Sequence, residues 1–236
     1  MKIAVLLSGN GVYDGSEIHE SVACLLALNH LGVETICIAP DIAQHHVINH
    51  LTGEQMPESR NILVEAARLA RGNIVSLSKV SANDFDALVM PGGFGVAKNF
   101  TKWAFQGADG EINADIKQFI AAFLDANKPI AALCMSPTTL AKVLEGSDRN
   151  AQLTVGNIDQ NSPYDIAAIQ QQINKIGSNA VDCDKDDVIV DDSNNIVTCP
   201  CYMMEASISE VFSGVEKAIN KLVEMTVLYL ESQEIS

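Results

Sequence analysis

KPIAALCMSPTTLAKVL (128–144) sets an apolar, strand-sized run directly against a polar break, with Cys134 at the junction. PIAALC (129–134) lacks the alternation of a half-solvated strand, so it reads as a strand buried on both faces of a parallel sheet. A helix follows over 137–144, with Pro137 in its first turn, where a missing N–H goes unnoticed. A strand that turns this sharply into a helix belongs to an α/β architecture, and the rest of the chain repeats the pattern.

Apolar runs at 2–8, 33–39 and 85–93 read as further buried strands. Helical periodicity covers 17–31, 58–72 and 112–127, and later 162–177 and 207–231. DDVIVDDSNNIVTCPCY (186–202) reads as two strands about an Asp/Asn turn, a hairpin near the C-terminus. The stretch 44–56 breaks the alternation and reads as an excursion. The expected fold is a doubly wound, mostly parallel sheet with helices on both faces. No linker or repeat interrupts it, so 1–236 reads as one domain.

Of 236 residues, 47% are hydrophobic and 19% charged, enough apolar surface for a sizeable core. The longest apolar runs fall far short of the ~20 residues that span a bilayer. MKIAVLLSGN runs into a Gly-rich turn after about six apolar residues, which reads as a first strand and not a signal sequence. A formal net charge of −15 argues against nucleic-acid partners and anionic membrane surfaces. Six cysteines without regular spacing suit a reducing, cytoplasmic setting.

Ligands of open parallel sheets collect at the C-terminal strand edge. Three features fall there: SGNGVYDGSEIHE (8–20), PGGFG (91–95) and Cys134. The thiol of Cys134 meets the positive end of a helix dipole, which favours a nucleophilic thiolate. A buried structural cysteine suits the same position, and the residues leave both open. PGGFG lets backbone N–H groups turn towards developing negative charge. Glu17 and Glu20, three apart, share a helix face and can supply acid–base chemistry or simply favour a helix N-terminus.

Other chemistries fit less well. Gly9, Gly11 and Gly15, with Asp41 closing the second strand, resemble a dinucleotide loop, so an NAD(P)-binding oxidoreductase is a remote alternative. Asp14 stands at the third-glycine position, however, and with Glu17 and Glu20 it would repel a pyrophosphate. All five histidines lie in the first fifty residues. No Cys-His-Glu triad of glutaminase type, with His after the nucleophile, can be built. His19 reads as a surface residue. Cys199 and Cys201 read as strand residues on one face, and neither they nor His45, His46 and His50 have zinc spacing. No metal or cofactor is expected.

DGSEIHESV, VMPGGFGVAKNF and ALCMSPTTLAKVL together resemble the ThiJ/PfpI superfamily, whose flavodoxin-like fold is that of class I glutamine amidotransferases. HVINHLTGEQMPESRNILVEAARLARG and VIVDDSNNIVTCPCYM extend the resemblance nearly end to end, towards the enhancing lycopene biosynthesis or ElbB-like glyoxalase subgroup. The resemblance implies Cys134 as nucleophile, Glu20 touching its thiol with Glu17 close by, and an oxyanion hole from the backbone N–H groups of Gly93 and Met135. It implies a homodimer, and a cofactor-independent glyoxalase that converts a small dicarbonyl such as glyoxal to the hydroxy acid. Met135 stands where several superfamily members carry a His. A redox or stress sensor, or a regulatory protein of isoprenoid metabolism, would use the same cysteine without turnover.

Overall fold

The architecture is that of a computed structural model describing residues 1–234. In chain order the elements begin with β1 (Lys2–Leu6), α1 (Ile18–His30), β2 (Glu34–Ala39), α2 (Ile62–Leu69), β3 (Ile74–Ser76) and β4 (Ala87–Met90). A short α3 (Trp103–Gln106), α4 (Ala114–Asp125), β5 (Ile130–Leu133) and α5 (Ser136–Leu144) follow. The last third holds β6 (Gln152–Leu153), α6 (Ile166–Lys175), β7 (Asn179–Ala180), β8 (Ile189–Asp191), β9 (Ile196–Cys199) and α7 (Ile208–Glu234).

Among the described residues, seven strands form one sheet in the order β3-β2-β1-β4-β5-β9-β8. Every pairing is parallel except β8 against β9, the antiparallel hairpin expected at 186–202. Strands β4, β5 and β9 are buried along their whole length, which is why they read as unbroken apolar runs. Helices cover both faces: α1 packs against α7 and α2, while α4 packs against α5. No helix among the described residues is long and apolar enough to cross a membrane.

The chain leaves β1 for β2 and β3 on one side, then crosses back to β4 and β5 on the other. That reversal falls at the C-terminal ends of β1 and β4, the place where doubly wound sheets bind ligands. The excursion at 44–56 is pinned there. Asp14 accepts the Ile48 N–H at 2.7 Å, and Asn99 accepts the His45 N–H at 2.9 Å while its amide donates to Ser8 and Asp14 carbonyls.

Some elements differ from expectation. A third strand, β3, follows the Gly72 stop, and a π-helical turn covers Val96–Phe100. The helix expected at 58–72 is shorter, because Asn61 caps it and accepts the Val64 N–H at 3.1 Å. Cys201 lies beyond the strand, in a 3-10 turn.

Candidate active site

β5 carries Cys134 to the sheet edge and releases it with φ +57, the left-handed region that non-glycine residues avoid. The bend is held from three sides. The Cys134 N–H donates to the Cys199 carbonyl at 2.8 Å, continuing the β5–β9 register. Ser136, the first residue of α5, donates its hydroxyl to the Pro91 carbonyl at 2.7 Å. The N–H groups of Gly93 and Met135 point at the Cys134 sulfur.

Glu20 enters from the first turn of α1 and is wholly buried. Its Oε2 accepts the Gly92 N–H at 3.0 Å, its Oε1 accepts the Tyr202 N–H at 3.3 Å, and it is hydrogen-bonded to the Cys134 thiol. Glycine is required at 92, because a Cβ there would drive into the Cys134 side chain and Glu20 Oε2. At Gly93, φ +100, a Cβ would meet the Gly15 carbonyl and the Glu17 N–H. These two glycines let β4 touch both the thiol and the start of α1.

Burial and then the charge of Glu17 push the Glu20 carboxyl up to about 8, against the hydrogen bonds from Cys134, Tyr202 and Gly92. Burial, and then the neighbouring Glu20 charge, also hold the Cys134 thiol well above the usual range, with the Gly93 and Met135 amides opposing. This corrects the expectation that the helix dipole would favour a thiolate. A dipole at a helix end is worth about 0.3–1 kcal/mol, whereas desolvating a thiolate and placing it beside a carboxylate costs more. Both protons are therefore held more tightly than in free side chains, and Glu20, the more acidic of the two, releases the first.

Glu17 has a different post. It precedes α1 as its N-cap, and its Oε2 accepts the Glu20 N–H at 2.7 Å. Its carboxylate is turned to the backbone, and its influence on the thiol passes through the charge it places near Glu20. The Gly-rich loop is likewise occupied internally: Gly11 donates to the Ser16 carbonyl at 2.8 Å and Gly15 to the Gly11 carbonyl at 2.7 Å. Those N–H groups do not project as a phosphate cradle.

Two aromatic pairs complete the surroundings, and neither was read from the sequence. Tyr202 bonds His19 Nδ1 through its hydroxyl at 2.8 Å, so His19 is exposed but sits one residue from the buried carboxylate. Tyr164 meets Phe94 edge-on at 5.7 Å, and burial followed by the nearby Cys134 and Glu20 charges pushes its hydroxyl up to about 12. Tyr202 could have been suspected, since it follows the end of a central parallel strand. Among the described residues, no three His, Cys, Asp or Glu groups are arranged to hold a metal ion.

An open α/β sheet with a cysteine on a left-handed elbow, facing a buried glutamate, defines a protein of the amidotransferase-like class. The chain belongs to the DJ-1/PfpI family, whose pattern matches residues 1–199. It is 39% identical over 229 residues to the human protein named glutamine amidotransferase-like class 1 domain-containing protein 3, mitochondrial, covering 95% of this chain and 83% of that one. It is 37% identical over 227 residues to the Rattus norvegicus ES1 protein homolog, mitochondrial, covering 95% and 84%. A crystal structure of an isoprenoid biosynthesis protein with amidotransferase-like domain from Ehrlichia chaffeensis matches with a TM-score of 0.86 at 36% identity, over 95% of this chain and 99% of that one.

Proposed function

We propose that this protein is a cofactor-independent glyoxalase that converts glyoxal, or a similarly small α-oxoaldehyde, to the hydroxy acid. The observation that carries the reading is the buried Glu20 carboxyl, hydrogen-bonded to the Cys134 thiol and pushed up to about 8. An acid–base group poised near neutrality beside a nucleophile is what a proton shift between adjacent carbons needs.

The chemistry runs in three steps. As the Cys134 sulfur adds to the aldehyde carbon, its proton passes to ionised Glu20. The Gly93 and Met135 N–H groups, which point at the sulfur, are the nearest donors for the new oxyanion on the carbon bonded to it. Glu20 passes the thiol's proton to the oxyanion, and as a carboxylate again it removes the proton from the hemithioacetal carbon and returns it to the neighbouring carbon, leaving a Cys134 thioester of the hydroxy acid. Water hydrolyses the thioester and restores the thiol. Redox balance is internal, because one carbon is oxidised as its neighbour is reduced.

The test is glyoxal consumption by purified protein without glutathione, in the presence of EDTA. Turnover by wild type and its loss in Cys134→Ala, with little change in melting temperature, is expected. Wild-type rates in Cys134→Ala would end the reading. Absence of turnover in wild type would leave the site to a sensing or binding role.

A further inference from the structure

A second group of sulfurs lies beside the elbow and takes no part in the chemistry above. β9 ends at Cys199, Pro200 turns the chain, and Cys201 follows with φ +49. The turn brings both side chains to the same side, with the sulfurs 3.6 Å apart and both residues wholly buried. Closing a disulfide requires about 2.05 Å between sulfurs, so a modest side-chain rotation suffices.

The Cys199 sulfur makes a close approach to α7 that only a glycine permits. Gly214 lies inside α7, and a Cβ there would stand 2.7 Å from the Cys199 sulfur. An interior helical glycine costs roughly 0.5–1 kcal/mol relative to alanine, so this space is kept against helix propensity. The pair is also joined to the site on both sides. The Cys199 carbonyl accepts the Cys134 N–H, and the residue after Cys201, Tyr202, donates its N–H to Glu20. The Cys201 thiol lies close enough to feel the charges of Glu20 and Cys134.

We propose that Cys199 and Cys201 form a redox dithiol that accepts oxidation from Cys134 and returns it to the thiol state. The oxidant is a hydroperoxide that meets Cys134, which keeps a 5% exposure while the pair has none. The Cys134 sulfur attacks the peroxide, giving a sulfenic acid and releasing an alcohol, or water from hydrogen peroxide, with its proton carried to the leaving oxygen through Glu20. The Cys201 thiol displaces water from the sulfenic acid and forms a Cys134–Cys201 disulfide. The Cys199 thiol then attacks Cys201, freeing Cys134 as a thiol and leaving the Cys199–Cys201 disulfide. One peroxide is reduced by two electrons, and two thiols are oxidised by two.

The test titrates fully reduced protein with hydrogen peroxide, alkylates it after unfolding, and reads intact mass and peptide maps. Wild type should lose the mass of two hydrogens, with Cys199 and Cys201 joined and Cys134 still alkylatable; dithiothreitol should reverse it. In Cys201→Ala, Cys134 should instead gain one and then two oxygens. In Cys134→Ser, formation of the Cys199–Cys201 bond should slow by roughly tenfold or more, since its oxidant route is lost. Oxygen addition to Cys134 in wild type with both other thiols still alkylatable would overturn the proposal, and that measurement needs no variant to fold. A disulfide from any of the three to a fourth cysteine, or unchanged rates in Cys134→Ser, would overturn it equally.

Discussion

At the scale of single residues, the carboxyl of Glu20 separates chemistry from architecture. In Glu20→Gln the amide oxygen can still accept the Gly92 N–H, but the group no longer exchanges a proton. Glyoxal turnover should fall roughly 10²–10⁴-fold while the thiol still reacts with iodoacetamide. Near-wild-type turnover would remove Glu20 from the mechanism. The same carboxyl makes stability pH-dependent. Its folded pKa is raised from 4.5 to about 8, so across that window the folded state keeps a proton that the unfolded chain has released. Its contribution is fully present below about 4.5 and is lost as pH rises towards 8, by roughly 2–5 kcal/mol. Urea unfolding across this range should show a shallower decline in Glu20→Gln than in wild type, and parallel declines would refute the shift.

At the scale of elements, α1 positions Glu20 and Glu17 starts α1. Glu17→Ala removes the cap and should cost about 0.5–2 kcal/mol. Glu17→Gln keeps an acceptor for the Glu20 N–H but removes the charge, so stability should hold. The pH profile of glyoxal turnover should nevertheless shift to lower pH, because a like charge no longer raises the Glu20 carboxyl that must ionise to take the thiol proton. An unshifted profile in Glu17→Gln would show that burial acts without Glu17. This division of labour marks what the sequence could express. The alternation of buried strands with helices, the hairpin, and the cysteine on its elbow were legible, because each rests on local periodicity or on turn chemistry. The three-residue β3 is too short for a period, and the π-helical turn over Val96–Phe100 follows from tertiary packing. Glu17 and Glu20 could be placed near the site but not told apart, since one residue decides where the helix begins. That an ionised Glu20 would raise the Cys134 thiol was legible, but not that this and burial would outweigh the helix dipole. The upward shift depends first on burial and then on the Glu20 carboxylate, which reaches the thiol from the remote start of α1.

At the scale of the whole molecule, the two outer strands have a bearing on how separate molecules behave together. β3 and β8 each offer only three residues at an open edge, and β8 lies between exposed Asp187 and Asp192 in a chain of net charge −15. Unpaired strand edges recruit other chains unless they are short, charged or covered. Here the guard on β8 is electrostatic, so acidification should weaken it. Light scattering should rise as pH approaches the isoelectric point near 4.5, and earlier in Asp187→Asn/Asp192→Asn than in wild type. Identical onset in the two would locate the sticky surface elsewhere. The carboxylates that shield this rim thus govern colloidal behaviour, while the carboxyl under the sheet edge governs the thiol.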